Sequence, residues 1–547
     1  MRIGLGRLFF TATFSLSSLL LFGQSGLEGT SGNNFFTYGL LIIGLVIVFW
    51  VITKVADNLM VIEAKESGAD RSGANFGLFP NMKEIFRPKL ADFVPEASTT
   101  ILDDGFDINL AGKPSDAVTD KVVTTFALQP TNFRGMSPIP AIEPVVGDTV
   151  QAGDVILYDK KRPEIKHVAP VSGEVVEINR GAKRSISNVV ILADKEQQYK
   201  PFTVPDTVTA SKQELVDFLL ESGGWTLIRQ RPYNILPNAD DTPDDIFVST
   251  FDTAPLAPNL NVVVRGNEHH FQKGLDVLNR LTYGSVFLGL DGRGKSAPDT
   301  AFAGATGVVK HYFSGKHPAG NVGVHIHHLA PVIGDRKVWT LGVQEVITLG
   351  RLFNDGIWNP ERIVALGGAE FTNPRHVRTR LGANIDDLTK GELASGNNRL
   401  VSGDLLSGEA KMGEKRYLNF YDDQVSVVKE GNEYEMFGWL VPSFNTPSVS
   451  YTFPTRIFNP EVEATTNTHG ERRAFVVTGE YDHVLPMDIH LQALMKSIMI
   501  KDFEKMEGLG IAELVEEDVA LPEFACTSKQ PLQAILAEGL EMMREQG

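Results

Sequence analysis

Residues 35–53 (FFTYGLLIIGLVIVFWVIT) pass without a single charge. That is about the length a helix needs to cross a bilayer's hydrocarbon core. The run is apolar all round and carries no amphipathic stripe, which argues against a helix on the face of a soluble domain. Tyr38 and Trp50 stand near its ends, where aromatic belts sit. Ahead of it, Arg2 and Arg7 precede an apolar run over 8–22 and then Gly23, Gln24 and Ser25. This predicts a signal peptide or a first membrane helix over 1–24. Lys54, Lys65, Arg71, Lys83, Arg87 and Lys89 follow the span, whereas 26–34 holds one Glu and no basic residue. The positive-inside rule then puts the large C-terminal body in the cytoplasm. Residues 54–98 are polar and turn-rich and predict a linker with one short helix.

Beyond residue 100 the pattern divides the chain into four domains. Over 100–205, short apolar runs broken by Gly and Asp (GDTVQAGDVIL, then APVSGEVVEI) predict a β-sandwich-hybrid. The two runs resemble a lipoyl- or biotinyl-type hammerhead. The hairpin between them, 159–163, reads as longer and more basic than a carrier's, so a structural sandwich is expected. Over 206–360 helices alternate with strands. Leu215, Phe218 and Leu219 share a side of a helix over 212–221 capped by Ser211, and a second helix covers 268–281. Strands are predicted at 245–250, 261–264 and 285–288. This alternation indicates a Rossmann-like, mostly parallel α/β sheet with ligands at the C-terminal strand ends. Strands at 362–366, 425–428 and 435–441 suggest a β-grasp-like module over 361–460. Helical spacing at 488–502 and 531–544 makes 461–547 a C-terminal helical domain, with the acidic 513–518 segment as a solvated face or docking surface.

Composition excludes several functions. At 547 residues, with 42% hydrophobic and 22% charged, the chain is an ordinary folded protein of several domains. The net charge of −17 argues against nucleic acid as a partner. The single cysteine, Cys526, rules out an internal disulfide, a Cys-rich zinc site and an iron–sulfur cluster held by this chain alone. Gly289-Leu-Asp-Gly-Arg-Gly-Lys295 follows a strand but matches neither the dinucleotide fingerprint nor the Walker loop.

Two stretches carry candidate chemistry. Ser222–Tyr233 (SGGWTLIRQRPY) holds Trp225, Arg229, Arg231 and Tyr233 between a Gly pair and a Pro. Residues 132–136 repeat the theme with Phe133, Arg134 and Met136 beside a Gly. Guanidinium and aromatic groups presented together suit a planar, carbonyl-bearing or anionic partner; the same residues also fit an Arg pair on a solvated turn beside a core Trp. A histidine cluster, His311, His317, His325, His327 and His328, would place His325 and His327 on one face if it were a strand. With no acid inside the tract, hydrogen bonding or ligand and interface contact is expected of His317, His325 and His327, and no metal.

Taken in order, LAGKP (110–114), PVSGEVVEINRGAKR (170–184), GWTLIRQRP (224–232), KHPAG (316–320), GRLF (350–353), FGW (437–439) and LPMDI (485–489) resemble the NqrA family. Its members are components of the Na+-translocating NADH:quinone reductase. The resemblance runs from about residue 101 to the end. It implies a peripheral subunit on the cytoplasmic side, placed toward the quinone-reducing end of a complex in the bacterial inner membrane. It further implies five partner subunits that carry the flavins and iron–sulfur centres, with no cofactor on this chain and no independent catalysis. Quinone would be the complex's substrate, and Phe133, Arg134, Met136, Trp225, Arg229, Arg231 and Tyr233 the residues at the quinone or a subunit interface. The alternative is a purely structural assembly subunit. The related Rnf C protein ligates iron–sulfur clusters through many Cys, which one cysteine excludes. The membrane span before residue 100 departs from the family pattern, as does Phe524-Ala-Cys526, where the family more often has a second Cys and a Pro-Gly.

Overall fold

The computed structural model describes residues 33–66, 90–294, 296–413, 416–434, 436–438, 443–450 and 453–546. The expected signal peptide or first membrane helix over 1–24 and most of the expected linker (67–89) lie outside them. The chain divides into two compact units, Met1–Lys89 and Leu90–Gly547.

Among the described residues the first unit contains one helix, α1 (Asn33–Glu66). Its span Tyr38–Asp57 has a mean hydropathy of 2.5 and none of it is buried. The helix runs on through 54–66, where a linker was expected. No Gly or Pro interrupts that stretch, so nothing stops the helix when its apolar character ends.

In the second unit, β1 (Thr99–Ile101) and β2 (Ser115–Asp120) precede a sandwich of two antiparallel sheets. One sheet has the order β3-β9-β8-β5, from β3 (Thr125–Leu128), β5 (Thr149–Val150), β8 (Gly173–Arg180) and β9 (Ile186–Ala193). The other, β4-β6-β7, is built from β4 (Ala141–Ile142), β6 (Val155–Asp159) and β7 (Arg162–Val168). The β6–β7 hairpin is tighter than expected: Asp159 pairs with Arg162, so only Lys160 and Lys161 form the tip.

The α/β layer opens with α2 (Lys212–Ser222), whose Ser211–Glu214 capping box and left-handed Gly223 fix both ends. There follow β10 (Arg229–Arg231), β11 (Asp245–Ser249), α3 (Leu260–Val264), α4 (Glu268–Leu281), β12 (Val286–Asp291), α5 (Thr300–Ala303), β13 (Val309–Ser314), α6 (Val322–Leu329), β14 (Val338–Leu341) and α7 (Val343–Asp355). Two of these correct the sequence reading. Residues 261–264 form helix α3, not a strand: the Asn259 side chain caps it, and local capping overrides the β-branched run of valines. His325 and His327 lie on α6, also a helix, so they do not share a face as strand neighbours would.

The six-stranded sheet has the order β1-β13-β12-β11-β14-β10, with only β10 antiparallel to its neighbour. Chain order reverses at β11, which places a crevice beyond the C-terminal ends of β11 and β14. Helices α4 and α7 pack very closely. A Cβ on Gly274 would lie 2.2 Å from the Val346 carbonyl oxygen, and one on Gly350 would lie 1.7 Å from that of His270. Only glycine permits that approach, which explains the glycine of GRLF.

A mixed sheet, β18-β17-β19-β15-β16-β2, follows. Its strands are β15 (Glu361–Gly367), β16 (Arg375–Arg380), β17 (Asn398–Ser402), β18 (Glu409–Lys411) and β19 (Gln424–Lys429), with α8 (Ile385–Thr389) between β16 and β17. Strands β1 and β2 therefore belong to the α/β and mixed sheets, although the interval expected to form the sandwich takes in β2 and all but the first residue of β1. The strand expected at 435–441 is not formed where it is described: 436–438 are a turn, and 435 and 439–441 lie outside the described residues. After α9 (Thr455–Phe458), helices α10 (Leu491–Met499), α11 (Phe503–Gly508), α12 (Glu516–Ala525) and α13 (Leu532–Gln546) share their own core around Leu494, Ile498, Leu514 and Leu536.

Candidate functional site: a guanidinium-lined cleft

Gly223 sits at φ +81° and turns the chain out of α2 into a 3-10 turn, Gly224–Leu227, and then into β10. A Cβ on Gly224 would meet Leu219 at 2.7 Å, so the turn lies tight against α2. Trp225 is completely buried. Its ring stands edge-on to Trp339 at 5.3 Å, and its Nε1 donates to the Pro237 carbonyl at 2.9 Å. It is a core residue, as in the second of the two readings the motif allowed, and it does not reach the surface as a candidate interface residue would.

Arg229 and Arg231 flank Gln230, whose side-chain carbonyl accepts from Trp339 Nε1 at 3.0 Å. Arg231 is 2% exposed. Its Nη1 donates to Asp518 Oδ2 at 2.7 Å and to the Glu513 carbonyl at 2.8 Å, and its Nη2 donates to Glu517 at 3.3 Å. Arg134 donates to the Tyr233 carbonyl at 3.0 Å and forms an ion pair with Glu516. Burial, the largest influence on it, lowers the affinity of Arg134 for its proton. Burial and then the neighbouring Asp518 charge push the Glu517 carboxyl above its usual range. The acidic 513–518 run is therefore neither a solvated face nor an outward docking surface. It is a clasp within the chain, gripping Arg134, Arg231 and, through Glu513, His327.

Arg229 is left over. Its guanidinium lies 4.8 Å from the centre of the Tyr421 ring and makes no hydrogen bond or ion pair with any described residue. It opens onto a cleft of about 280 Å3 whose lining includes Asn132, Phe133, Arg134, Asn234 and Tyr421. Phe133 is buried, its ring edge-on to His167, Phe420 and Tyr421 at 4.4, 4.9 and 6.0 Å. Tyr421 donates its hydroxyl to the Thr226 carbonyl at 2.8 Å, and burial pushes that hydroxyl's pKa up, so it stays neutral.

The structure thus brings three of the seven candidates, Phe133, Arg134 and Arg229, to one cleft. Met136 packs against the main core, and Tyr233, at φ +78°, packs against the C-terminal helices. Tyr421, Asn132 and Asn234 were missed. The Phe420-Tyr421 pair was a visible aromatic signal, but nothing in the sequence linked it to Arg229.

The histidines are engaged within the fold. His325 is buried and stacks on Phe313 at 3.9 Å, with Nε2 2.8 Å from the Ala319 carbonyl. That ring nitrogen therefore carries the proton. Nδ1 has no partner and faces Gly289, and burial holds the ring's pKa down to about 3. His327 Nδ1 meets Glu513 at 2.8 Å while its Nε2 accepts from the Asp488 backbone N–H at 3.0 Å, which fixes a neutral Nδ1–H tautomer. His317 meets the Thr253 hydroxyl at 3.0 Å, and burial lowers its pKa to about 4. Among the described residues no group of three or more His, Cys, Asp or Glu is arranged to hold a metal.

Glu345 sits in the first turn of α7, the place a phosphate would use, and pairs with the fully buried Arg362 of β15. In the turn after β12, Arg293 is folded back onto Asp291 by three hydrogen bonds. Lys295 lies outside the described residues.

Comparison with known proteins matches three domain families. They are the NqrA N-terminal barrel-sandwich hybrid domain over 100–194, the NqrA second alpha/beta domain over 210–358 and the NQRA C-terminal domain over 363–411. The NqrA component of the Na(+)-translocating NADH-quinone reductase of Saccharophagus degradans is 39% identical over 447 residues, covering 81% of this chain and 99% of that protein. Its counterparts in Pseudomonas aeruginosa (39%) and Alcanivorax borkumensis (38%) match with the same coverage. A solved NAD+-reducing [NiFe]-hydrogenase is 14% identical, over 62% of this chain and 69% of its own, at a TM-score of 0.32, too low to carry an argument. With nearly the whole length of these relatives matched at 36–39% identity, the chain belongs to the NqrA family.

Proposed function

We propose that this subunit works at the quinone-reducing end of the complex, with Arg229 presenting its guanidinium to a quinone carbonyl in the cleft beside Tyr421. The observation that carries this reading is the contrast among the arginines: Arg134 and Arg231 are consumed by the acidic clasp, whereas Arg229 is held over a neutral ring with its donors unspent. A guanidinium there hydrogen-bonds a carbonyl and favours the negative charge that develops as the quinone is reduced. Phe133 and Tyr421 supply the flat apolar side. At about 280 Å3 the cleft is near the lower limit for a small-molecule site, a size for the quinone head and not its tail.

In this reading α1 anchors the chain in the bacterial inner membrane, and the basic residues after the span put the body on the cytoplasmic side. The body docks on the membrane-integral subunits among its five partners, which carry the flavins and iron–sulfur centres. Its α/β layer is Rossmann-like by strand order, and the mixed sheet is β-grasp-like.

The test uses Arg229→Ala and Arg229→Lys in the intact complex. A charge-assisted hydrogen bond is worth about 1.5–3 kcal/mol, so Arg229→Ala is expected to lower kcat/KM for quinone roughly tenfold to a hundredfold. Inhibitor sensitivity should change with it, while blue-native gels show normal assembly. Normal assembly with unchanged quinone kinetics contradicts the reading. Loss of assembly instead supports a purely structural subunit.

A further inference from the structure

Among the described residues between β19 and the C-terminal helices, three large apolar side chains lie exposed. Phe444, Ile457 and Phe458 are 65%, 67% and 69% exposed, and the rings of Phe444 and Phe458 are 6.4 Å apart. They are held in place. The Thr455 hydroxyl donates to the Thr446 carbonyl at 2.7 Å, tying the start of α9 to the segment that carries Phe444. The Asn445 side-chain carbonyl accepts from the Glu463 backbone N–H at 3.1 Å, and Asn459, at φ +41°, stops α9 just after Phe458. Two segments thus hold three large side chains outward, in a chain that buries Phe247, Phe271, Phe302 and Phe313 almost completely. Such a patch measures on the order of a few hundred Å2, the size at which exposed apolar surface marks an interaction site. Its neighbours along the chain, Glu461 and Glu463, are exposed carboxylates.

We infer that this patch is a docking surface for a protein partner with an apolar hollow bordered by Lys and Arg: the cytoplasmic loops of a membrane-integral subunit. Cytoplasmic loops of membrane proteins carry an excess of Lys and Arg, which complements the Glu461 and Glu463 rim and the chain's net charge of −17. A lipid surface is the poorer match, because the anionic cytoplasmic leaflet repels those carboxylates. The inference rests on the proposed cytoplasmic placement of the body and is independent of the quinone cleft.

The experiment places a photo-reactive phenylalanine analogue at position 458 of the full chain in the intact complex, with position 283 as a control site of high exposure, and identifies the cross-linked peptides. A Lys/Arg-bearing cytoplasmic loop of a membrane-integral subunit, captured from 458 and not from 283, is the expected result. Phe444→Asp combined with Phe458→Asp should also lower the amount of this subunit retained in the purified complex about tenfold or more, as loss of interface anchors does, with its melting temperature unchanged. Cross-links to lipid alone, to a second copy of this chain or to a soluble partner overturn the inference, as does full retention of the double variant. Capture of a periplasmic segment would overturn the cytoplasmic placement as well, and neither result bears on the quinone kinetics of Arg229→Ala.

Discussion

His325 shows how a single side chain links burial to pH. In the folded chain its pKa is about 3, because burial excludes the charged form; in the unfolded chain it is about 6.5. The folded state therefore binds fewer protons between those values. The stability His325 contributes is fully present above about pH 6.5 and is lost as pH falls toward 3. His325→Gln removes this titration alone, so comparing it with the parent isolates the effect from other groups. The stability gap between the two proteins should shrink by about 2 kcal/mol between pH 6.5 and 5, read from equilibrium unfolding at both values. A gap that stays constant would show that the imidazole is not buried as described. The sequence made the histidine cluster visible and its hydrogen-bonding role readable. It did not give the helix on which His325 sits, because an alternating His pattern inside an apolar run fits strand and helix equally well.

At the scale of elements, the clasp at the start of α12 joins the C-terminal helices to the strand that carries both arginines. Carboxylates in a first helical turn are favoured by the helix dipole, and Asp518 also accepts from the Val515 backbone N–H, closing the turn. Asp518→Ala leaves the Arg231 guanidinium buried with its closest partner removed, a change that costs about 3–5 kcal/mol in comparable pairs. Amide exchange should then accelerate in α10–α13 well before it does in β11–β14; uniform acceleration would contradict a local clasp. Arg229 and Arg231 look equivalent in the sequence, two residues apart on one strand. What distinguishes them is α12, which arrives some 280 residues later and hydrogen-bonds Arg231 through Glu517 and Asp518, whereas Glu517 acts on Arg229 through its charge without a hydrogen bond. Period-two spacing assigns a face, but only tertiary contact decides which side chain on that face is consumed. A core Trp225 was one of two readings the sequence left open, and what decides it is Trp339, on a strand far along the chain.

For the whole molecule, the sandwich-hybrid and α/β character could be read from hydrophobic patterning, and the family from its ordered motifs. The domain edges could not. Strands β1 and β2 precede the sandwich yet complete the α/β and mixed sheets, a long-range pairing that no local pattern records. The cleft is non-local in the same way, gathering Asn132–Arg134, Arg229 and Tyr421 from the sandwich, the α/β layer and the segment before β19. The central claim is that this cleft receives quinone in the assembled reductase. The most direct measurement is photolabelling of the intact complex with a photo-reactive quinone, followed by peptide mapping. The account predicts label on the peptides containing 132–134, 229 or 421, displaced by excess quinone and diminished in Arg229→Ala; label confined to other subunits, unaffected by that substitution, would contradict it.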